Sequence, residues 1–214
     1  MPLELPIGPS VGRHTDWLLQ SGYRRSGSFV YTTRCPNCRQ CQPTRLRVDR
    51  FILRSSMRRV LRRGDRELTV RWADPIVDQT RIDLFNSHRN GQDLGRDDHP
   101  VDAASYHSFL VDSCCHTREL SIRLDGRLIG IAIVDIGQTS LSAVYTHFHP
   151  DASRYSIGTY AILKQIEYAT ERNMQWVYLG MYVADNPHLN YKSRFTPQQR
   201  LIAGTWTDIP QSSP

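Results

Sequence analysis

Apolar and polar positions change rhythm along this chain, and each rhythm predicts an element. From Arg118 to Leu124 apolar and polar residues alternate, Asp125-Gly126 offers a tight hairpin turn, and Arg127 to Asp135 is almost continuously apolar. That is the pattern of a hairpin whose second strand is buried on both faces. Thr139 to Phe148 predicts a further strand, and Gln175 to Met181 another. Between them Ile162, Ile166 and Ala169 recur at helical spacing, behind a start at Ser156 or Gly158 and ahead of a stop near Asn173. Upstream, Ile76, Ile82 and Phe85 predict a helix to about Asn90, capped by Asp74 with Pro75 at its first position. Gly91 to Pro100 reads as a polar loop, and Asp102 caps a second helix through Tyr106, Phe109 and Leu110 to about Ser113. In the first third, Ser28 to Thr32 and Leu46 to Val48 read as strands. Arg54 to Arg63 is Arg-dense, with Met57, Val60 and Leu61 at helical spacing. Helical zone, hairpin, strand, helix, strand is the order of an α/β acyltransferase core.

Charge divides the chain where the pattern alone does not. Residues 13–71 carry 15 Arg against Asp16, Asp49, Asp65 and Glu67, a net of +11, while the rest of the chain nets −5. The positive third predicts a polyanionic partner, and arginine forks suit a nucleic-acid backbone. We therefore expect a basic amino-terminal lobe over 1–71 and an acyltransferase-like core over 72–214, packed as one compact unit. At 214 residues, with 39% hydrophobic and 22% charged positions, the chain can bury a core. The sequence from Met1 to Ser10 has no secretory pattern, and the longest apolar run, Leu128 to Val134, is far short of a membrane span. A cytoplasmic protein without membrane contact is expected, with a frayed polar tail over Gln211 to Pro214.

Candidate chemistry gathers in three places. Cys35, Cys38 and Cys41 have metal-ligand spacing, but three thiolates leave a tetrahedral site one ligand short, so a bound metal is not favoured. Cys114 and Cys115 are expected at a buried helix end, and His147 and His149 as strand-end or solvent residues. Tyr145, Tyr178, Tyr182 and Tyr191 fall on or just after predicted strands, with Lys192 and Arg194 behind the last. Aromatic rings hold single-stranded bases and Arg or Lys hold phosphates. Arg154 to Thr159 is similar to an acetyl-CoA loop only weakly, with a single Gly where a phosphate cradle wants more.

A set of ordered blocks then becomes specific. Gly22 to Gly27 (GYRRSG), Cys35 to Pro43 (CPNCRQCQP), Phe51 to Arg59 (FILRSSMRR), Leu141 to Tyr145, Phe148 to Asp151, Gly158 to Tyr160, Tyr178 to Gly180 and Asn190 to Phe195 (NYKSRF) span nearly the whole chain. Together they resemble bacterial members of the tRNA-dependent leucyl/arginyl-protein transferase family. The resemblance implies a GCN5-related N-acyltransferase-like core, an α+β or α/β mixed sheet with flanking helices, working on tRNA esters. It implies leucine moved from leucyl-tRNA to the α-amine of proteins beginning with Asp or Glu, marking them for degradation. Relatives hold zinc or iron–sulfur through further amino-terminal cysteines, and Pro6 to Thr15 has none here.

Aminolysis of an ester is downhill and needs no ATP, cofactor or covalent enzyme intermediate. About a tenth of a free α-amine is unprotonated at neutral pH. Asp135 is expected to orient that amine, and Tyr145 and Tyr178 to face the developing oxyanion or pack the adenosine. Arg24 and Arg25 would pair with the acceptor's carboxylate, Tyr182, Tyr191, Lys192 and Arg194 would line the donor's end, and Arg58 and Arg59 would hold tRNA phosphates. The alternatives are an arginyl donor, a CoA-dependent N-acetyltransferase on the same fold, and a non-catalytic RNA-binding zinc module.

Overall fold

The computed structural model describes residues 3–4, 14–33, 35–92 and 99–210. Six positions of the predicted 91–100 loop and the tail from 211 lie outside the described residues. One eight-stranded sheet organises the rest. Its order is β11 (Thr205–Ile209), β10 (Gln198–Ile202), β4 (Gln42–Arg47), β9 (Trp176–Tyr182), β8 (Ser140–Phe148), β7 (Arg127–Ile136), β6 (Thr117–Leu124), β5 (Leu68–Ala73). Neighbours are antiparallel except β8 and β9, which run parallel and are joined by α5 (Ile157–Glu171). A small sheet, β1 (Leu3–Glu4), β3 (Phe29–Tyr31) and β2 (Arg24–Ser26), is separate. This is the expected α+β core of the GCN5-related type.

The apolar run of β7 is explained by burial on both faces. Ala132, Val134 and Ile136 point into a core with α5 and α2 (Ser55–Glu67), whereas Leu128, Ile131 and Ile133 meet Ile82, Leu84 and Phe85 of α3 (Gln79–Gly91). Tyr106 and Leu110 close that second core, from α4 (Ala103–Tyr106) and its wider continuation to Val111. Period-two alternation in one strand thus builds both layers.

Four expectations are corrected. Residues 74–78 are not helical: Asp78, not Asp74, caps α3 by accepting from the Arg81 N–H at 2.9 Å, and Asp74 pairs with Arg118 instead. The strand expected at Leu46 to Val48 is β4, which begins four residues earlier and carries Pro43, a residue that argues against strand from sequence. The compositional boundary at 71/72 falls inside β5, and β4 lies between β10 and β9, so the basic third contributes two strands to the main sheet. His147 is fully buried among Phe85, Tyr106 and Tyr145 rather than solvated, and burial pulls its pKa down to about 3, leaving it neutral.

α2 and α5 touch where Gly64 faces Tyr160, whose ring leaves no room for a methyl group. Gly→Ala inside a helix ordinarily stabilises by about 1 kcal/mol. Here Gly64→Ala should instead lose roughly 1–3 kcal/mol in urea unfolding, through overpacking. A more stable Gly64→Ala variant contradicts this packing.

Candidate active site

β8 and β9 pair only at their starts, Ser140 to Ser142 against Trp176 to Tyr178, and then separate although both continue. The divergence has two local causes. Val144 is an extra residue in β8, because Ile133 faces Tyr145 while Val134 faces Ala143. Gly180 in β9 adopts φ +90°, a conformation that side chains resist. The result is a cleft between the two strands beyond Ser142 and Tyr178.

Two cations fill the floor of that cleft. Arg24 donates from Nη2 to the Ala143 carbonyl of β8 at 2.7 Å, and Lys192 donates from Nζ to the Met181 carbonyl of β9 at 2.9 Å. A Cβ on Gly180 would lie 3.2 Å from Lys192 Nζ and 3.4 Å from Arg24 Nη2, so the two groups converge over that glycine. Both side chains are buried. Neither forms an ion pair with a carboxylate among the described residues. Burial, and then the Arg24 guanidinium, lower the Lys192 pKa to about 7. Burial likewise lowers Arg24.

Arg25 points the other way, as its neighbour on a strand must. Its Nε meets both Asp135 carboxylate oxygens, at 3.0 and 2.9 Å, and Thr117 Oγ1 donates to the same carboxylate at 2.7 Å. Arg25 is therefore committed through Nε to Asp135, while its buried Nη2 has no hydrogen-bond partner among the described residues. Asp135, in turn, is held by Arg25 and Thr117.

The aromatic residues also separate. Tyr178 is buried with its hydroxyl near Arg45 Nη1 (3.2 Å) and Gln20 Oε1 (3.4 Å), and burial raises its pKa. Arg45 lies between the Trp176 and Trp206 rings, 3.7 and 4.1 Å from their centroids, a clamp that fastens β11 to the sheet. Tyr145 packs against Phe85 and Phe109, in the layer of α3, so it does not meet Tyr178. Tyr182 lies under Arg200 at 3.3 Å. Tyr191 reaches toward Gly158 at the start of α5, and burial pushes its hydroxyl up to about 12. Arg194, Arg58 and Arg59 are exposed. The structure brings Arg24 and Lys192 together, keeps Tyr191 beside Lys192 in one short turn, and leaves the remaining residues apart. Gly180, Thr117 and Arg45 had no sequence signal for these roles, because each acts through contacts more than a dozen residues away.

Cys35 and Cys38 are exposed and Cys41 is half-buried. Burial, with the neighbouring thiols, pushes the Cys41 thiol up. Among the described residues no group of three or more His, Cys, Asp or Glu is arranged to hold a metal ion.

Residues 6–59 match the family described as arginine-tRNA-protein transferase, N terminus, and residues 80–202 its C terminus. The chain belongs to the arginine-tRNA-protein transferase family. It is 37% identical over 196 residues to an aspartate/glutamate leucyltransferase of Acinetobacter baumannii, covering 91% of this chain and 72% of the relative. The enzyme of the same name from Pseudomonas entomophila is 35% identical over 192 residues, covering 90% and 81%. The solved L-PGS from Bacillus licheniformis shares the fold, with TM-score 0.51 at 12% identity. That likeness covers 85% of this chain, which spans just over half (55%) of L-PGS.

For this family member, removing one partner of the buried Arg25–Asp135 pair should be costly. Asp135→Asn leaves Arg25 buried without its counter-charge, which costs roughly 3–5 kcal/mol. Denaturant unfolding should show that loss. Unchanged stability means the pair does not exist as described.

Proposed function

We propose that this chain transfers leucine from leucyl-tRNA to the α-amine of proteins whose first residue is Asp or Glu. The observation that carries the reading is the buried Arg24–Lys192 pair, converging over Gly180 in a cleft without a carboxylate of its own. Two desolvated cations held only by carbonyl dipoles are a preformed site for an anion. The names of the relatives supply the matching chemistry, an acidic amino-terminal residue. Arg24 and Lys192 thus replace the expected Arg24 and Arg25 as the acid-binding pair.

The reaction follows from that placement. With the carboxylate on the cation pair, the α-amine, only a few bonds away, sits at the mouth of the splay. It attacks the ester carbonyl of the donor, a C–N bond forms, the C–O bond to the terminal ribose breaks, and the amine's proton passes to that oxygen or to water. Positioning of the two reactants supplies most of the acceleration. No step needs ATP or a cofactor.

Leucine is favoured over arginine by the inventory of buried acids. A guanidinium pocket wants an unpaired buried carboxylate. Among the described residues the buried carboxylates are Glu119 and Asp135, and each already holds an arginine, Arg81 (2.6 and 2.9 Å) and Arg25. No described helix is long and apolar enough to cross a membrane. A charged-tRNA donor supports a cytoplasmic setting for this activity.

The direct test is incubation with separately charged leucyl- and arginyl-tRNA and peptides starting with Asp, Glu, Asn or Ala, read by mass. Leucine should appear on Asp and Glu alone; leucine on Ala or Asn at equal rate rejects the acid site. A hydrogen bond to a charged group contributes about 1.5–3 kcal/mol, so Lys192→Met should raise KM for the Asp-ended peptide roughly ten- to a hundredfold.

Acceptor binding should also depend on pH in one direction. Lys192 is charged below about 7 and loses its proton above it. The acceptor carboxylate is ionised throughout, so affinity for an Asp-ended peptide, relative to an Asn-ended one, should fall as pH rises through 7. In Lys192→Met that relative fall should vanish.

A further inference from the structure

α2 is wired against its own stability. Arg58, Arg59, Arg62, Arg63 and Arg66 occupy its exposed face, and its first turn has no acid. Arg58 and Arg62, Arg59 and Arg63, and Arg62 and Arg66 stand four residues apart, each a like-charge pair costing about 0.2–0.5 kcal/mol. Arg58 and Arg59 lie near the helix start, where the helix dipole disfavours cations. The acids of α2 relieve only Arg66 among these arginines. Asp65 faces Tyr160 and Lys164, and Glu67 faces Tyr155 and Arg66. Arg63 donates to the Arg154 carbonyl at 2.6 Å, but Arg58, Arg59 and Arg62 form no ion pair among the described residues. What holds the helix is its inner face, with Met57, Val60 and Leu61 in the core and Gly64 against Tyr160.

The same helix is tied to the cleft. Arg54, its cap residue, donates to Thr196 Oγ1 at 3.1 Å, and the Ile52 N–H donates to the Thr196 carbonyl at 3.0 Å. Thr196 follows the Tyr191–Arg194 turn by two residues, so the start of α2 is hydrogen-bonded to the chain just beyond the floor of the cleft.

We infer that the outer face of α2 docks the double-helical part of the donor tRNA, and that its link to Thr196 sets the distance from that duplex to the cleft. The inference rests on the transferase reading and adds which surface meets which part of the RNA. Arg58, Arg62 and Arg66 span about 12 Å along the helix at 1.5 Å per residue, a stripe suited to a run of phosphates. The face holds no aromatic residue, which a single-stranded partner would want for stacking, and no apolar residue, which a membrane-surface helix would bury. Backbone contact to a duplex needs neither.

The test uses full-length Arg58→Glu and Arg58→Glu/Arg62→Glu. Binding is read by fluorescence anisotropy over a salt series, with an uncharged acceptor-stem minihelix and a single-stranded CCA-ended oligonucleotide. The double variant should bind the minihelix at least tenfold more weakly and with a shallower salt dependence, while the single strand is affected much less. Arg58→Glu should raise the melting temperature, since it turns a repulsive pair into an attractive one and places an acid toward the helix start. Lost RNA affinity together with gained stability is an outcome that simple unfolding does not produce. Unchanged minihelix affinity and salt slope overturn the inference, as does a loss confined to anionic vesicles or to an acidic polypeptide. The two readings fail separately. A protein that binds the minihelix through α2 yet transfers no amino acid keeps the docking surface. One that transfers leucine with an unchanged KM for charged tRNA in the double variant keeps the activity and loses the surface.

Discussion

The ion pair between Arg25 and Asp135 is the contact from which the site is built. It crosses from β2 in the small amino-terminal sheet to β7 in the centre of the main one, and Thr117 of β6 donates to the same carboxylate. Because consecutive residues on a strand face opposite ways, anchoring Arg25 leaves Arg24 directed at the splay of β8 and β9. A buried pair of this kind brings little net stability compared with apolar packing. Its contribution is placement: one arginine is tied to the carboxylate and its neighbour stands without an ion pair of its own.

That contrast runs through the molecule. Arg81 is held by Glu119 and Asp78 beneath α3, and the pairing drives its pKa up. Arg45 is stacked between tryptophans, and Arg47 meets Asp49. These cations are matched inside the fold. Among the described residues, Arg24 and Lys192 at the cleft, and Arg58, Arg59 and Arg62 on α2, form no ion pair with a carboxylate. A protein that moves an amino acid from a polyanion to an acidic chain end needs unmatched positive charge in two places, and two such places are present.

The elements from Arg118 onward were legible because their periodicity is strong. The hairpin at Asp125-Gly126, the doubly buried β7 and the amphipathic α5 lie within a residue or two of their expected bounds. β4 was shortened by Pro43, and the β10–β11 hairpin carries too few apolar residues to announce itself. The site was legible as residue types and less so as partners. Arg24, Arg25, Asp135 and Lys192 all stood out, but which arginine meets the aspartate depends on contacts across 110 positions, and no local pattern encodes it. Tyr145 looked equivalent to Tyr178 until the layers placed it against Phe85.

The chain has only two lysines, Lys164 and Lys192, so the side-chain titration of Lys192 can be followed by NMR with isotope-labelled lysine. In the free protein its midpoint should lie near 7, and a saturating Asp-ended peptide should move it upward while an Asn-ended peptide leaves it in place. A Lys192 that titrates like a solvated lysine, or that ignores the acidic peptide, would mean the cleft does not recognise its acceptor through buried positive charge.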